Sequence, residues 1–289
     1  MRIVDLTAYH VRIPLKKKIE HASHAREEND TLIVRCRLDD GCEGWGEGLP
    51  RPYVTGETIE TALTQFGETD FRAQLDGPLR GYDDAVQRLD RLHLADPGQN
   101  GHRDCFGNSV VCAVEVSAVA AIGRPVGGHL AAVTALVPET ASIRDDRDEV
   151  RYSGVITAMG GLKKIVRAAA MRLYGFPDIK LKVGMEGAND AAAVALMRRV
   201  FGPDKDLRLD ANEAWTCGNL EEKLRPLERY RISSLEQPVR HEEVAGLADV
   251  RGRINTPIML DESLCSLQDG RGAIEQGTCY LFNIRLSKC

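Results

Sequence analysis

The sequence predicts an α/β chain: an N-terminal α+β domain followed by an incomplete TIM-type (β/α) barrel with about six of eight strands. Three observations predict it. From Ser153 onward, apolar β-rich runs alternate strictly with helical patterns, the grammar of a parallel βα repeat. Five polar residues, Lys182, Asp210, Glu236, Asp261 and Lys288, follow or interrupt five of those runs at separations of 28, 26, 25 and 27 residues. Before Ser153 the order is strands and then helices, as in an α+β module.

Residues 2–14 predict a strand, and 30–38 with 42–47 predict a hairpin around Asp39-Asp40-Gly41, a strong turn signal. Helical character follows at 58–66, 83–94 and 109–121, the last with an apolar stripe at Val111, Val114, Ala118 and Ala121. The first domain is placed at residues 1–130 and the barrel domain at 131–289. In the barrel domain, strands at 153–158, 179–183, 207–211, 232–236, 257–261 and 280–286 alternate with helices at 160–174, 188–201, 218–228, 241–250 and 266–275. A closed barrel needs eight strands, and an open parallel sheet leaves two edges unpaired. The expectation is therefore a C-terminally truncated version of a longer protein.

With 289 residues and 43% hydrophobic content, the chain can bury a sizeable core. A formal net charge of -5 with interspersed signs offers no basic face for nucleic acid, and no apolar run approaches the length of a membrane span. The start Met1-Arg2-Ile3-Val4-Asp5 lacks an apolar signal core. The eight cysteines have neither zinc spacing nor the pattern of a small secreted framework. Together these predict a cytoplasmic protein with reduced thiols and no nucleic-acid or membrane partner. Gly127-Gly128 lacks dinucleotide-binding spacing, and Trp45 and Trp215 are expected to be packing groups.

In a (β/α) barrel all strand C-termini open onto one face, so the five spaced residues are expected to converge. Lys180 and Lys182, two apart on one strand, point to the same side. Three carboxylates make a hard-cation site, and no His or Cys occupies these strand ends to favour zinc. Singly, each residue has a plainer account: Asp210 and Asp261 as helix caps, Glu236 as a solvated loop carboxylate, the lysines as surface charges. Recurrence at one repeat length argues for a shared site.

The motifs Gly44-Trp45-Gly46-Glu47-Gly48, Lys180-Leu181-Lys182-Val183-Gly184, Asp210-Ala211-Asn212, Glu236-Gln237-Pro238, Asp261-Glu262-Ser263 and Asn283-Ile284-Arg285-Leu286-Ser287-Lys288 come in an order that resembles the enolase superfamily. Within it, the pattern is similar to the muconate lactonizing enzyme subgroup of the mandelate racemase/muconate lactonizing enzyme family, over nearly the whole chain. The resemblance implies that the first domain is a capping domain and that Asp210, Glu236 and Asp261 ligate Mg2+, with Mn2+ as an alternative. It implies that Lys182 and Lys288 are an acid/base pair on opposite faces of a small carboxylate substrate. Lys180 would assist Lys182 or touch the substrate carboxylate, and Asn212, Glu213 and Glu262 would surround the metal. A dication about 4 Å from a developing charge offers roughly 8 kcal/mol at an effective dielectric of about 20. A lysine with a pKa of about 10.4 is rarely neutral at pH 7, so a lysine base must be shifted downward.

The implied chemistry is magnesium-dependent α-proton abstraction through an enediolate. Two lysines suit a racemase or epimerase of an amino-acid derivative or dipeptide; a muconate-type cycloisomerase, or a non-catalytic truncated remnant, is the alternative. His21, His24, Arg26, Arg51 and Tyr53 fall in segments that look like the two capping-domain loops of this family and are expected to bind a polar or anionic distal group of the substrate. A homo-oligomer is expected of the full-length parent. The helix near Val114 to Pro125 departs from the family pattern by lacking an aspartate.

Overall fold

The computed structural model describes residues 1–20, 25–96, 105–128, 130–145, 147–157 and 161–289, the side chains of 17–20, 25 and 26 excepted. Two compact units result, one from Met1–Ile19, Ala25–Asp146 and Arg285–Cys289, the other built on Arg147–Ile284.

The first unit holds a three-stranded sheet in the order β1 (Ile3–Glu20), β2 (Ala25–Leu38), β3 (Glu43–Gly48). Asp39-Asp40-Gly41 closes the antiparallel β2–β3 hairpin, with Gly41 at φ +86° and the Asp40 carboxylate accepting from the Cys42 N–H. Alternation sends Leu32, Val34, Cys36 and Leu38 of β2 into the core. Helices α1 (Ile59–Glu68), α2 (Phe71–Leu75) and α3 (Tyr82–Leu89) precede the long α4 (Asn108–Val126). A reciprocal Thr58/Thr61 capping box starts α1.

The face of β3 that meets α4 carries only glycine. A Cβ on Gly44, Gly46 or Gly48 would lie 2.1, 2.0 or 2.0 Å from the carbonyl oxygen of Ser117, Ala113 or Ser109, respectively. Glycines two apart on a strand thus meet residues four apart on a helix, backbone against backbone. Trp45 is consequently turned outward, 47% exposed, and lies beside the Tyr9 ring; Trp215, at 2% exposure, packs inside. α4 is long and apolar enough to cross a membrane by length and composition, yet 61% of its apolar window is buried within the fold. Glu115, Ser117 and Arg124 interrupt its apolar run, which hid this from a count of consecutive apolar residues.

The second unit is a six-stranded parallel sheet in sequential order: β4 (Ser153–Ile156), β5 (Asp178–Lys182), β6 (Asp206–Asp210), β7 (Ser234–Glu236), β8 (Ile258–Leu260) and β9 (Leu281–Phe282). Helices α5 (Gly161–Tyr174), α6 (Asp190–Phe201), α7 (Leu220–Glu228), α8 (Leu247–Arg251) and α9 (Leu267–Gln276) connect them. A 3-10 turn, His241–Gly246, replaces the first half of the single helix expected at 241–250. The sheet is an incomplete TIM-type barrel, two strands short of a closed one. Ile179, Leu181, Leu207, Leu209 and Leu235 form one core with Val194, Met197, Leu220 and Leu224. Arg198 ties the loops after α6 and α7 together, donating to the carbonyls of Gly202, Lys205, Tyr230 and Arg231 at 2.7–2.8 Å.

β9 is two residues long, where 280–286 was expected. Among the described residues its sheet neighbour is β8, whose ladder ends at the Leu260–Phe282 pair, so the chain leaves extended structure there. Lys288 accordingly lies beyond a strand end, in a turn closed by the Lys288 and Cys289 N–H groups on the Arg285 carbonyl. All eight cysteines are free thiols.

Candidate active site

Parallel register builds the site. Lys182, Asp210 and Glu236 pair Cα to Cα across β5, β6 and β7, forming one rung at the strand C-termini. Asp261 follows β8 directly, two residues past Met259, the partner of Glu236. Period-two alternation sends Ile179 and Leu181 into the helix-covered core and turns Lys180 and Lys182 the other way. Asp210, Glu236 and Asp261 are buried, at 1%, 0% and 5% exposure.

Buried carboxylates need compensation, and here cations supply it. Lys180 Nζ lies 2.7 Å from Asp210 Oδ2 and 2.7 Å from Glu236 Oε1. Arg208 Nε is 3.2 Å from Glu236 Oε2, and Asn283 Nδ2 donates to Glu236 Oε1 at 2.9 Å. Burial works against the Lys180 ammonium, but Asp210 and Glu236 together outweigh it and hold its pKa above the ordinary value. For Lys182 the balance is downward: burial dominates, Asp210 opposes it and Lys180 adds to it. Lys182 Nζ donates to Asn212 Oδ1 at 2.7 Å, and Asn212 Nδ2 donates to Glu262 Oε1 at 3.0 Å. Asn212 and Glu213 sit at positive φ (42° and 64°), with the Asn212 N–H held by Asp210 Oδ1 at 3.0 Å.

Three residues here carried no expected role. Gln237, fully buried, accepts from the Asp261 and Ser263 N–H groups at 2.9 and 3.1 Å and donates to Val239 O and Ser263 Oγ at 2.7 and 2.6 Å. It fixes the backbone of Asp261 relative to Glu236. Arg208 was findable, because it stands two residues before Asp210 and so on the same side of β6. Asn283 lies in a motif already singled out, but its reach to Glu236 is set by strand order.

The chemistry of the donor set, though not its spacing, suits a hard divalent cation. Asp210 Oδ2 and Glu236 Oε2 are buried without a hydrogen bond, facing the cations Lys180 and Arg208. Oxygen acids of this kind at adjacent strand ends suit Mg2+ better than zinc. Among the described residues, no three His, Cys, Asp or Glu side chains are gathered closely enough to hold one ion; Asp210 and Glu236 meet through Lys180.

Lys180, Lys182, Asp210, Glu236, Asp261, Asn212 and Glu262 all belong to the second unit. Lys288, Arg51 and Tyr53 belong to the first. His21 and His24 lie outside the described residues, as does the side chain of Arg26.

The sequence profile of the enolase C-terminal domain-like family matches residues 164–289. A hydrophobic dipeptide epimerase of Enterococcus faecalis is 28% identical over 294 residues, covering 100% of this chain and 76% of the relative. An N-succinyl-L-Arg/Lys racemase of Bacillus cereus is 24% identical over 304 residues, covering 100% and 73%. Among solved structures, a dipeptide epimerase from E. faecalis V583 complexed with Mg and the dipeptide L-Leu-L-Tyr superposes with a TM-score of 0.81 at 26% identity, covering 100% of this chain and 76% of that one. Residues 164–289 are thus similar to the enolase C-terminal domain-like family, and the relatives that the whole chain resembles are epimerases and racemases.

Proposed function

We propose that this chain removes and returns the α-proton of a small carboxylate substrate, epimerising a dipeptide or racemising an N-acylated amino acid. The observation that carries this reading is the Lys182–Asp210–Glu236 rung, which sets an amine biased toward neutrality beside buried acids. Lys182 Nζ takes the α-proton, giving an enediolate, and Asn212 orients the amine for that step. Lys182 loses its proton more readily because burial penalises the ammonium. Lys180 supports it as a second positive charge and keeps the acids compensated. We assign the second proton-transfer group to Lys288 from its place in the motif. We assign recognition of the distal part of the substrate to Arg51 and Tyr53, with His21, His24 and Arg26.

Asp210, Glu236 and Asp261 would hold Mg2+, or Mn2+ in its place. When bound, that cation supplies compensation for the charge that develops on the substrate carboxylate. The names of the relatives support a dipeptide or N-succinyl amino acid as substrate.

The test is solvent deuterium exchange followed by proton NMR, with the purified chain, Mg2+ and L-Leu-L-Tyr, L-Ala-L-Glu or N-succinyl-L-arginine. The expected result is loss of one α-proton signal together with appearance of the epimer. Lys182→Ala should slow exchange by about 10²–10⁴-fold. A folded chain that binds Mg2+ yet exchanges none of the three substrates would sink the reading.

A further inference from the structure

Gln237 directly follows Glu236 at the end of β7, and every polar group it owns is in use. Its backbone N–H donates to the Met259 carbonyl of β8 at 2.8 Å, and its backbone carbonyl accepts from the Glu213 N–H, in the loop after β6, at 2.8 Å. Its side-chain oxygen takes the Asp261 and Ser263 N–H groups, and its side-chain nitrogen serves Val239 O and Ser263 Oγ. A primary amide has two donor hydrogens and two acceptor lone pairs, so these four partners saturate it. One fully buried residue thus touches the segments that follow Asp210, Glu236 and Asp261.

The backbone there is held against its own preference. Gln237 has a φ of 35°, in the left-handed region that favours glycine, as do Asn212 and Glu213 in the facing loop. Non-glycine residues stay in such conformations where their surroundings over-determine them, and the bonds to Glu213 and Met259 do so for Gln237. The β7–β8 ladder ends at the Glu236–Met259 pair. Past that pair, the Gln237 side chain supplies the bonding to the exit of β8 that the ladder supplied before it.

We infer that Gln237 is a positioning residue for Asp261: its side-chain oxygen holds the Asp261 N–H and so sets where that carboxylate stands relative to Asp210 and Glu236. Lys180 already ties Asp210 to Glu236, and Gln237 ties the third acid to the second. The inference rests on the reading of these acids as the Mg2+ ligands. An ionised glutamate could only accept and a methionine could do neither, so the role belongs to the amide and not to the volume of the side chain.

Mg2+ titration calorimetry on the full chain, arranged as a double-mutant cycle, tests it. Gln237→Met should weaken Mg2+ binding about 10- to 100-fold. In an Asp261→Asn background the same change should cost no more than about twofold, because the group it positions has already been altered. Equal losses in the two backgrounds would mark a general loosening of the fold and overturn the positioning role. A loss below about twofold in the wild-type background overturns it as well and leaves the metal reading standing. Affinity unchanged by Asp261→Asn instead overturns the reading of Asp261 as a ligand, and a wild-type chain that takes up no Mg2+ overturns the reading of all three acids. Amide hydrogen exchange in the metal-free chain gives a second readout: the Asp261 and Ser263 amides should exchange about tenfold faster or more in Gln237→Met, and unchanged exchange overturns the contact. Ser263→Ala removes one partner of the Gln237 side chain and keeps the test open if Gln237→Met fails to fold. It should speed exchange at Asp261 and weaken Mg2+ binding by about threefold or more, and no change in either overturns the inference.

Discussion

Lys180 Nζ stands 2.7 Å from Asp210 Oδ2 and 2.7 Å from Glu236 Oε1, a single ammonium shared by two buried acids on different strands. Removing one partner of a buried ion pair costs about 3–5 kcal/mol. Lys180→Met should therefore lower stability by that amount in a chelator. Mg2+ should then stabilise the variant more than it stabilises wild type, because the same oxygens become its ligands. Thermal unfolding with EDTA and with Mg2+ checks this; a variant indifferent to Mg2+ would count against the shared-oxygen reading.

The meeting of β3 and α4 leaves no room for a side chain. A Cβ on Gly46 would sit 2.0 Å from Ala113 O, a backbone atom that cannot rotate away. Gly46→Ala should destabilise the chain by about 3 kcal/mol or more, the upper side of overpacking costs. Trp45→Ala, on the outward face, should cost far less. Urea denaturation followed by circular dichroism compares the two, and a similar loss from both would refute the close-approach account.

Arg198 satisfies four backbone carbonyls from two loops. Its planar fork matches that arrangement and a lysine point charge does not. Arg198→Lys should cost about 2–4 kcal/mol, given about 1.5–3 kcal/mol for a hydrogen bond to a charged group. The denaturation midpoint measures it; a change below about 0.5 kcal/mol would show that water replaces the missing donors.

Burial, with the charge of Asp90 added, pushes the Glu115 carboxyl in α4 up to about 7 from an ordinary 4.5. The folded chain thus holds a proton that the unfolded chain has already released. This contribution to stability is fully present below pH 4.5 and is lost as the pH rises through about 7. Its size is at most about 3.5 kcal/mol, since one pKa step is worth about 1.4 kcal/mol. Glu115→Gln should flatten the stability profile over that window. Urea titrations of both proteins from pH 4.5 to 8 give the difference, and parallel profiles would rule Glu115 out as its source.

Much of this arrangement was legible before any coordinates. Lys182, Asp210 and Glu236 end three strands as expected, because a constant repeat length and a two-residue side-chain period place strand ends and sides. The sixth strand was expected to run to residue 286 and ends at Phe282 instead, so Lys288 stands farther past the strand end than expected. Strand length depends on the neighbour, and β8 offers β9 a ladder of two residues. The outward turn of Trp45 was hidden for a related reason. A glycine stripe shows which face is bare, but only the arrival of α4 shows which face is inside.

By itself, then, the sequence determined which chemical groups stand at the strand ends and which way they turn, since both follow from local geometry repeated along the chain. Tertiary structure decided which of those groups meet. Lys180 and Asn283 reach Glu236 across 56 and 47 residues, and Gln237 reaches the Asp261 backbone across 24. Such pairings are set by the order and register of parallel strands, which bring Lys180 of β5 and Asn283 after β9 to Glu236 of β7 across the strand that lies between.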